Sequence, residues 1–259
     1  MDSKVQAVGD HLKVWRQRRR LSQLDLAIEA KISTRHLSFV ESGRSVPSRE
    51  MLLHLAEQLQ IPMRERNILL VAGGYAPFFP ERSLDDPALS AARDAIDIVL
   101  EGHKPYPAFA LDRHWNIVGS NRALPMLYDG VAAELLAHPI NALRLSLHPD
   151  GLAPRIENLA QWRSHLLHRL RQQIDLTADT ELLALQRELL DYPPAAPAST
   201  RQDNEFVVPF RLKTRVGVLS FFSTTMVFGT PLDITLSELA IEAFFPADRE
   251  TASTVRELP

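Results

Sequence analysis

The sequence contains no cysteine, so it can form no disulfide, thiolate metal site or cysteine nucleophile. It also lacks any apolar run near the roughly 18 residues that a membrane-spanning helix needs. The first residues are polar and show no signal-peptide core, so we expect a cytoplasmic protein. With 259 residues, of which 45% are hydrophobic and 24% charged, the chain is typical of a globular protein with one large or two smaller domains.

Glycine is scarce as well, and motifs that carry catalysis are missing. The 10 glycines do not cluster into a phosphate-binding loop, and neither G-x-S-x-G nor H-E-x-x-H occurs. His165 and His168 lie three residues apart on a predicted helix, but no third ligand stands at metal-binding spacing. We therefore expect a protein that is not an enzyme, with no catalytic residue, no metal site and no cofactor.

Charge is distributed unevenly along the chain. Residues 1–77 carry four more basic than acidic side chains, whereas the remainder carries seven more acidic ones, which gives the net charge of -3. A basic front on an acidic remainder favours a nucleic-acid-binding module joined to a part that does not bind nucleic acid.

Residues 8–73 show apolar side chains at helical spacing, separated by short polar breaks. Small polar residues that favour helix starts stand at Ser22, at Ser33 or Thr34, and at Ser48, and Gly43 is suited to a C-terminal cap. The pattern predicts five short helices, with approximate bounds 8–19, 23–30, 34–42, 49–59 and 62–73.

Two of these helices, within residues 21–44, are separated by three residues, as in a helix-turn-helix. We expect an inward face formed by Leu24, Ala27, Ile32, Leu37 and Val40. The second helix, capped by Ser33, would then present its first polar side chains to a major groove of DNA. These outward residues are Thr34, Arg35, Ser38 and Phe39.

The segment LSQLDLAIEAKISTRHLSFVESGR resembles the repressor-type helix-turn-helix of the XRE family. The resemblance implies that Gln23 touches phosphate or a base edge, and that Thr34, Arg35 and Phe39 occupy recognition positions. Arg35 would bind a guanine in bidentate fashion. Phe39 departs from the polar residue usual at its position, so we expect it to meet a thymine methyl group or pack against a sugar.

The same resemblance implies contacts that surround the recognition helix. An ion pair between the first and third helices would fall on Arg16 and Glu41 and would be structural. Arg44, after the glycine turn, and Arg49, at the start of the fourth helix, would contact phosphates.

Beyond residue 77 the pattern changes. A segment rich in proline and aromatic residues and a predicted helix at 88–101 indicate a linker at 78–103. Residues 104–259 combine short strand-like runs, at 108–118, 206–212, 216–228 and 239–245, with helical runs at 120–127, 155–174 and 180–190. We therefore predict an α+β protein, with a five-helix DNA-binding domain at 1–77 and an antiparallel sheet with flanking helices at 104–259.

The stretch FALDRHWNIVGSNRALPML resembles the opening of a PAS-like sensor domain. Nearly the whole chain resembles the MmyB-like group of XRE regulators, through stretches such as PYPAFALDRHWNIVGSN and GVLSFFSTTMVFGTPLDITLSELAIEAFFPAD. The resemblance implies a PAS-like domain that binds a small apolar or amphipathic effector, such as a fatty acid, and that governs a DNA-binding homodimer.

Residue types indicate which side chains would line such a pocket. Candidate apolar walls are Trp115, Met126, Leu127, Leu143, Leu147, Leu159, Trp162, Phe221 and Phe228. An amphipathic effector also needs a polar anchor, for which the candidates are Asn121, Arg144, His148, Arg155 and His165. The two arginines suit a carboxylate best because of their fork geometry.

These observations predict a sequence-specific, dimeric transcription regulator, most simply a repressor, whose partners are double-stranded DNA and a small effector. Two alternatives stay open. In one, the second domain only dimerises or recruits a partner protein. In the other, it modifies the ligand, which would require ionisable groups that converge in its cavity.

Overall fold

A computed structural model describes residues 7–193 and 207–258. The chain divides into two compact units, whose main segments run up to Glu81 and onward from Arg82. Within the described ranges, no helix has the length and apolar character that crossing a membrane requires. The same ranges hold no group of three metal-ligating side chains. The predicted domain bounds, at 77 and 103, stay predictions.

The first unit is helical, as predicted. Each predicted helix is present, and no end differs from its predicted position by more than one residue. Ser22, Ser33 and Ser48 cap as expected, each accepting a hydrogen bond from a backbone N–H three residues ahead. The helices are α1 (Val8–Arg18), α2 (Gln23–Glu29), α3 (Thr34–Glu41), α4 (Arg49–Gln58) and α5 (Met63–Ala72).

One part of the predicted inward face is wrong. Leu24 is 57% exposed, whereas Leu26 is fully buried together with Ala27 and Ala30. The apolar residues of α2 are compatible with two stripes, and the stripe with Leu26 and Ala27 is the one that packs in the core of the helical unit. Leu37 and Val40 are buried, and Ile32 packs at the edge of the same core.

Gly9 shows how closely α1 and α3 approach each other. A Cβ atom at this position would lie 2.5 Å from the main-chain oxygen of Val40 and 2.6 Å from that of Glu41. Any side chain would push α1 away from the end of α3. The contact therefore fixes the helix that carries Arg16 against the helix that carries Glu41.

The second unit is built on a five-stranded sheet in the described residues, with order β2-β1-β5-β4-β3 and antiparallel neighbours throughout. The strands are β1 (Ala108–Leu111), β2 (Ile117–Ser120), β3 (Phe210–Thr214), β4 (Gly217–Val227) and β5 (Ala240–Pro246). The helices are α6 (Ser90–Gly102), α7 (Ala142–Leu147), α8 (Leu159–Thr177), α9 (Thr180–Asp191), α10 (Ile234–Ser237) and α11 (Arg249–Glu257). The predicted α+β class is thereby confirmed.

Several predicted elements of this unit differ in their bounds. The long helix predicted from Arg155 begins only at Leu159, because Pro154 and the preceding residues form a separate 3-10 turn over Ala153–Arg155. The helix predicted at 120–127 is reduced to a 3-10 turn over Leu124–Leu127, with Pro125 near its start. The strand predicted from Phe206 begins at Phe210, and Phe206 lies outside the described residues.

The two faces of the sheet have different neighbours. On one face, Ala108, Ala110, Ile241 and Ala243 pack with Ile96 and Leu100 of α6. On the other, Phe109, Phe210, Phe221 and Phe244 form the main core with residues of α7, α8 and α9. The alternation of side chains along each strand separates these two clusters. The candidate effector cavity lies on the second face.

Candidate DNA-binding face and effector cavity

The start of α3 is held by its cap. Ser33 Oγ accepts a hydrogen bond of 3.1 Å from the backbone N–H of His36, and Ser33 itself is exposed. Gly43 follows the helix with φ of +71°, a conformation that glycine adopts without strain. The helix is thus short and fixed at both ends, and its first turn carries Thr34, which is half-buried, and Arg35, which is exposed.

Phe39 lies between two arginines on the outer side of α3. The guanidinium of Arg35 stands 5.4 Å from the centre of its ring, and that of Arg44 stands 6.0 Å away. Both distances are within the range of cation–π attraction. Phe39 itself is half-buried. Its ring supports both cations, in addition to any contact that Phe39 makes with DNA.

Arg16 and Glu41, which are both buried, form one hydrogen-bond network with the half-buried Gln23. Arg16 donates from Nε and Nη2 to the two carboxylate oxygens of Glu41, at 2.7 and 2.9 Å, and Gln23 Nε2 donates to Glu41 Oε2 at 2.8 Å. The hydrogen bonds to Glu41 raise the pKa of Arg16 and outweigh the opposite effect of burial. The Glu41 carboxylate can only accept hydrogen bonds, so the side-chain amide of Gln23 must direct its NH2 group toward Glu41.

Two further predicted DNA contacts lie on the same unit. Arg49, half-buried at the first position of α4, has its guanidinium 4.8 Å from the centre of the Phe78 ring. Ser38 is half-buried and Arg44 is exposed. The structure therefore places Arg35 and Arg44 outward and holds Arg49 against an aromatic ring, and none of these arrangements depends on a bound partner.

A small apolar cavity lies between the sheet and the helices of the second unit. Its volume is about 50 Å³, far below the range of about 300–1,000 Å³ typical of sites for drug-sized ligands. Four of the predicted wall residues line it, namely Trp115, Leu127, Leu143 and Trp162. Both indoles are satisfied, since Trp115 Nε1 donates to Gln173 at 2.7 Å and Trp162 Nε1 donates to Ser146 at 2.9 Å.

The cavity wall includes an ion pair that the sequence analysis missed. Glu242 of β5 is only 3% exposed, and its Oε1 accepts hydrogen bonds from Arg169 of α8 and, at 2.8 Å, from the Thr225 hydroxyl. The Arg169 guanidinium also lies 5.0 Å from the centre of the Trp115 ring. A single carboxylate within the apolar run AIEAFF was the available signal, since its side chain alternates with those of Ile241 and Ala243.

The other predicted apolar walls lie away from this cavity. Phe221 is fully buried with its ring edge-on to Phe244, and Leu147 and Leu159 belong to the surrounding core. Phe228 packs at the cluster beneath α6, on the opposite face of the sheet, because it follows the end of β4. Met126 lines a separate groove, described below.

The predicted polar anchors have structural partners instead. Asn121 joins β1 to its surroundings, donating to the main-chain oxygens of Leu100 and Tyr106 at 3.0 and 2.8 Å. Arg144 forms a bidentate pair with Glu188, with both distances 2.8 Å, and this pairing lowers the pKa of the Glu188 carboxyl. His148 and His165 do not line the cavity either: the ring of His148 packs against Tyr192, and that of His165 against Trp162.

Arg155, the remaining predicted anchor, lines a larger groove of about 820 Å³. Its cationic side chains are Lys104, Arg122, Arg155 and Arg215, against a single carboxylate, Asp129. Its apolar side chains are Pro105, Ala123, Pro125, Met126, Val216, Leu219, Val255 and Leu258. The groove therefore combines an excess of positive charge with apolar side chains, which suits an amphipathic anion.

The two parts of the chain match two different known families. Residues 92–258 match the family described as MmyB-like transcription regulator ligand binding domain, and residues 7–69 match the family described as Helix-turn-helix domain. No curated protein matches the chain. The first match covers more than half of the 259 residues and contains both the cavity and the groove. The chain therefore belongs to the MmyB-like transcription regulators, with a helix-turn-helix DNA-binding domain followed by a ligand-binding domain.

Proposed function

We propose that this ligand-responsive regulator is a cytoplasmic, homodimeric repressor of the XRE type, and that its PAS-like second domain binds a fatty acid or a similar amphipathic effector. The observation that carries the proposal is the outer side of α3. There an exposed arginine, Arg35, stands on the first turn of a helix capped by Ser33, next to a second exposed arginine, Arg44. A major groove accepts this combination of a short helix and outward donors.

Dimerisation follows from the size of the reading surface. One helix-turn-helix touches only a few base pairs, so useful affinity requires two half-sites about 34 Å apart. An effector can then control binding by changing the spacing of the two reading helices, provided it binds one arrangement better than the other. If the protein is a repressor, deletion of its gene should raise expression from the promoter that carries the bound site. Added effector should raise expression from the same promoter.

Arg44→Ala tests the predicted phosphate contact. Removing one phosphate-binding cation should weaken binding to specific and unrelated duplexes alike and reduce the slope of log affinity against log salt concentration by about 1. The measurement is fluorescence anisotropy with selected and scrambled duplexes at several salt concentrations. Lys13→Ala, which removes an exposed cation from α1, is the matched control. A loss confined to the selected duplex would contradict the phosphate role.

The effector can be sought directly. Native mass spectrometry of the full chain, purified without detergent, is expected to show an adduct of a few hundred daltons, on the order of the size that such pockets hold. Extraction and negative-ion analysis would then identify a carboxylic acid. Repeated isolation of an unliganded, well-folded protein that also takes up no added fatty acid would contradict an effector of this class.

The cavity of about 50 Å³ favours one rival, in which the second domain only dimerises or recruits a protein. The two proposals predict different effects on oligomeric state and DNA affinity when the second domain is removed or a lipid is added. If the domain only dimerises, the oligomeric state should depend on it while DNA affinity stays insensitive to every added amphipath. If it is a sensor, DNA affinity should change with the effector at constant oligomeric state.

A further inference from the structure

The internal cavity and the charged groove share one wall. The 3-10 turn over Leu124–Leu127 presents Leu124 and Leu127 to the cavity, while Pro125 and Met126 line the groove. Four consecutive residues thus separate about 50 Å³ of apolar space from about 820 Å³ of open, positively charged space. A short turn with a proline has fewer internal hydrogen bonds to hold it than an α-helix of several turns.

Arg155 holds this wall from the groove side. Its Nη2 donates to the main-chain oxygen of Leu127 at 2.5 Å, and this is the one hydrogen bond of the guanidinium among the described residues. Burial lowers the pKa of the Arg155 guanidinium, an effect that Asp129 offsets in part. A partly buried cation that pairs with a neutral carbonyl gains from an anion, because a carboxylate adds charge–charge attraction and can accept two parallel hydrogen bonds from the guanidinium.

The other three cations of the groove outnumber the two carboxylates that pair with them. Arg215 pairs with Asp129 at 2.9 Å, and Lys104 pairs with Glu101. Arg122 is exposed and adds a further positive charge. The groove therefore attracts an anionic head group, while its apolar side chains and the cavity beyond the wall suit a hydrocarbon chain.

We propose that the groove is the head-group subsite and the entrance of the effector site: the carboxylate of a long-chain amphipath binds Arg155 in place of the Leu127 carbonyl, and its chain displaces the Leu124–Leu127 turn to enlarge the apolar cavity. This inference rests on the proposed amphipathic effector and gives it a location and an orientation. The head lies in the groove and the tail lies near Trp115 and Trp162.

The position of the tail can be read from tryptophan fluorescence. The chain has three tryptophans, of which Trp115 and Trp162 line the cavity and Trp15 lies in the core of the helical unit, where it contributes a constant background. The probes are two dodecanoates, one brominated on the terminal carbon and one on the carbon next to the carboxylate. Since bromine quenches indole fluorescence only at short range, the tail-brominated probe should quench strongly and the head-brominated probe weakly.

The head-group contact is tested on the same full-length protein. Arg155→Gln should raise the Kd for dodecanoate by about tenfold or more, because it removes a charge-assisted hydrogen bond. Arg155→Lys keeps the positive charge but loses the planar guanidinium group. Its Kd for dodecanoate should therefore lie between that of Arg155→Gln and that of the unmodified protein. Arg187→Gln, which removes an equal charge from the exposed side of α9 outside the groove, should change the Kd by less than about threefold. Circular dichroism melting curves establish that each variant is folded.

Each outcome has a separate meaning. If dodecanoate binds but both brominated probes quench equally, or Arg155→Gln leaves the Kd unchanged, the proposed entrance and orientation are overturned while an amphipathic effector stands. If dodecanoate and longer fatty acids do not bind to the folded chain at all, the effector class itself is overturned together with this inference. DNA binding by α3 is independent of either result.

Discussion

Replacing Arg16 with alanine is expected to lower the free energy of unfolding of the helical unit by about 3–5 kcal/mol, because it leaves the Glu41 carboxylate buried with only Gln23 to compensate its charge. For a domain of this size, the melting temperature should fall by about 12 °C or more. The measurement is thermal unfolding followed by circular dichroism and calorimetry, which resolve the transition of the helical unit from that of the second unit.

Two further variants establish the cause. Glu29→Ala removes an exposed carboxylate of α2 and should change the stability by less than about 0.5 kcal/mol. The double variant Arg16→Met with Glu41→Leu removes both charges, so it should be more stable than Arg16→Ala alone. Sequence preference on DNA should persist in folded Arg16→Ala, as measured below its melting temperature. An unchanged melting curve would show that the ion pair contributes nothing to the fold.

Replacing Arg35 with alanine is expected to weaken binding to the selected operator by about 1–3 kcal/mol, roughly fivefold to 150-fold, and to relax the preference at one base pair. The reason is that Arg35 is exposed on the first turn of α3 and is supported by the Phe39 ring, so its fork is available for a guanine edge. The measurement is selection of bound duplexes from a random pool, followed by titration of the winning site and its single-base variants.

Two further variants, Arg35→Lys and Phe39→Leu, separate the contributions of charge, guanidinium geometry and aromatic support. Lysine keeps the charge but lacks the planar guanidinium fork that fits the two guanine acceptors, so it should recover affinity for all duplexes more than it recovers the base preference. Phe39→Leu keeps the apolar volume but removes the aromatic support of Arg35 and Arg44, so it should cause a smaller loss of both affinity and preference. If Arg35→Ala keeps the full base preference, the reading residues lie elsewhere on α3.

The helical unit could be predicted closely because its signals are local. Serines at caps, a glycine after α3 and apolar residues at helical spacing determine where each helix begins and ends within a few residues. The resemblance to a known family also indicated the Arg16–Glu41 pair, which the structure confirms. The inward face of α2 was predicted wrongly at Leu24, since its pattern allows two stripes and only packing against α3 selects between them.

The lining of the candidate effector cavity was much harder to predict from residue types. Trp115, Leu127, Leu143 and Trp162 line the cavity, but the chosen anchors Asn121 and Arg144 bind structural partners. Arg169 and Glu242 lie 73 residues apart in the chain and meet only because β5 inserts between β1 and β4 and α8 covers that face. No local pattern encodes such a meeting.

The amino-acid sequence by itself determined the class of the protein, the five short helices, the helix-turn-helix and the family, because caps, helical periodicity and sequence motifs are all contained in short stretches of the chain. The tertiary structure alone decided which stripe of α2 is buried, how Glu41 orients Gln23, and that a turn of four residues separates the small cavity from the charged groove. These features depend on contacts between residues far apart in the chain, whose free energies are set by packing and burial rather than by any local preference.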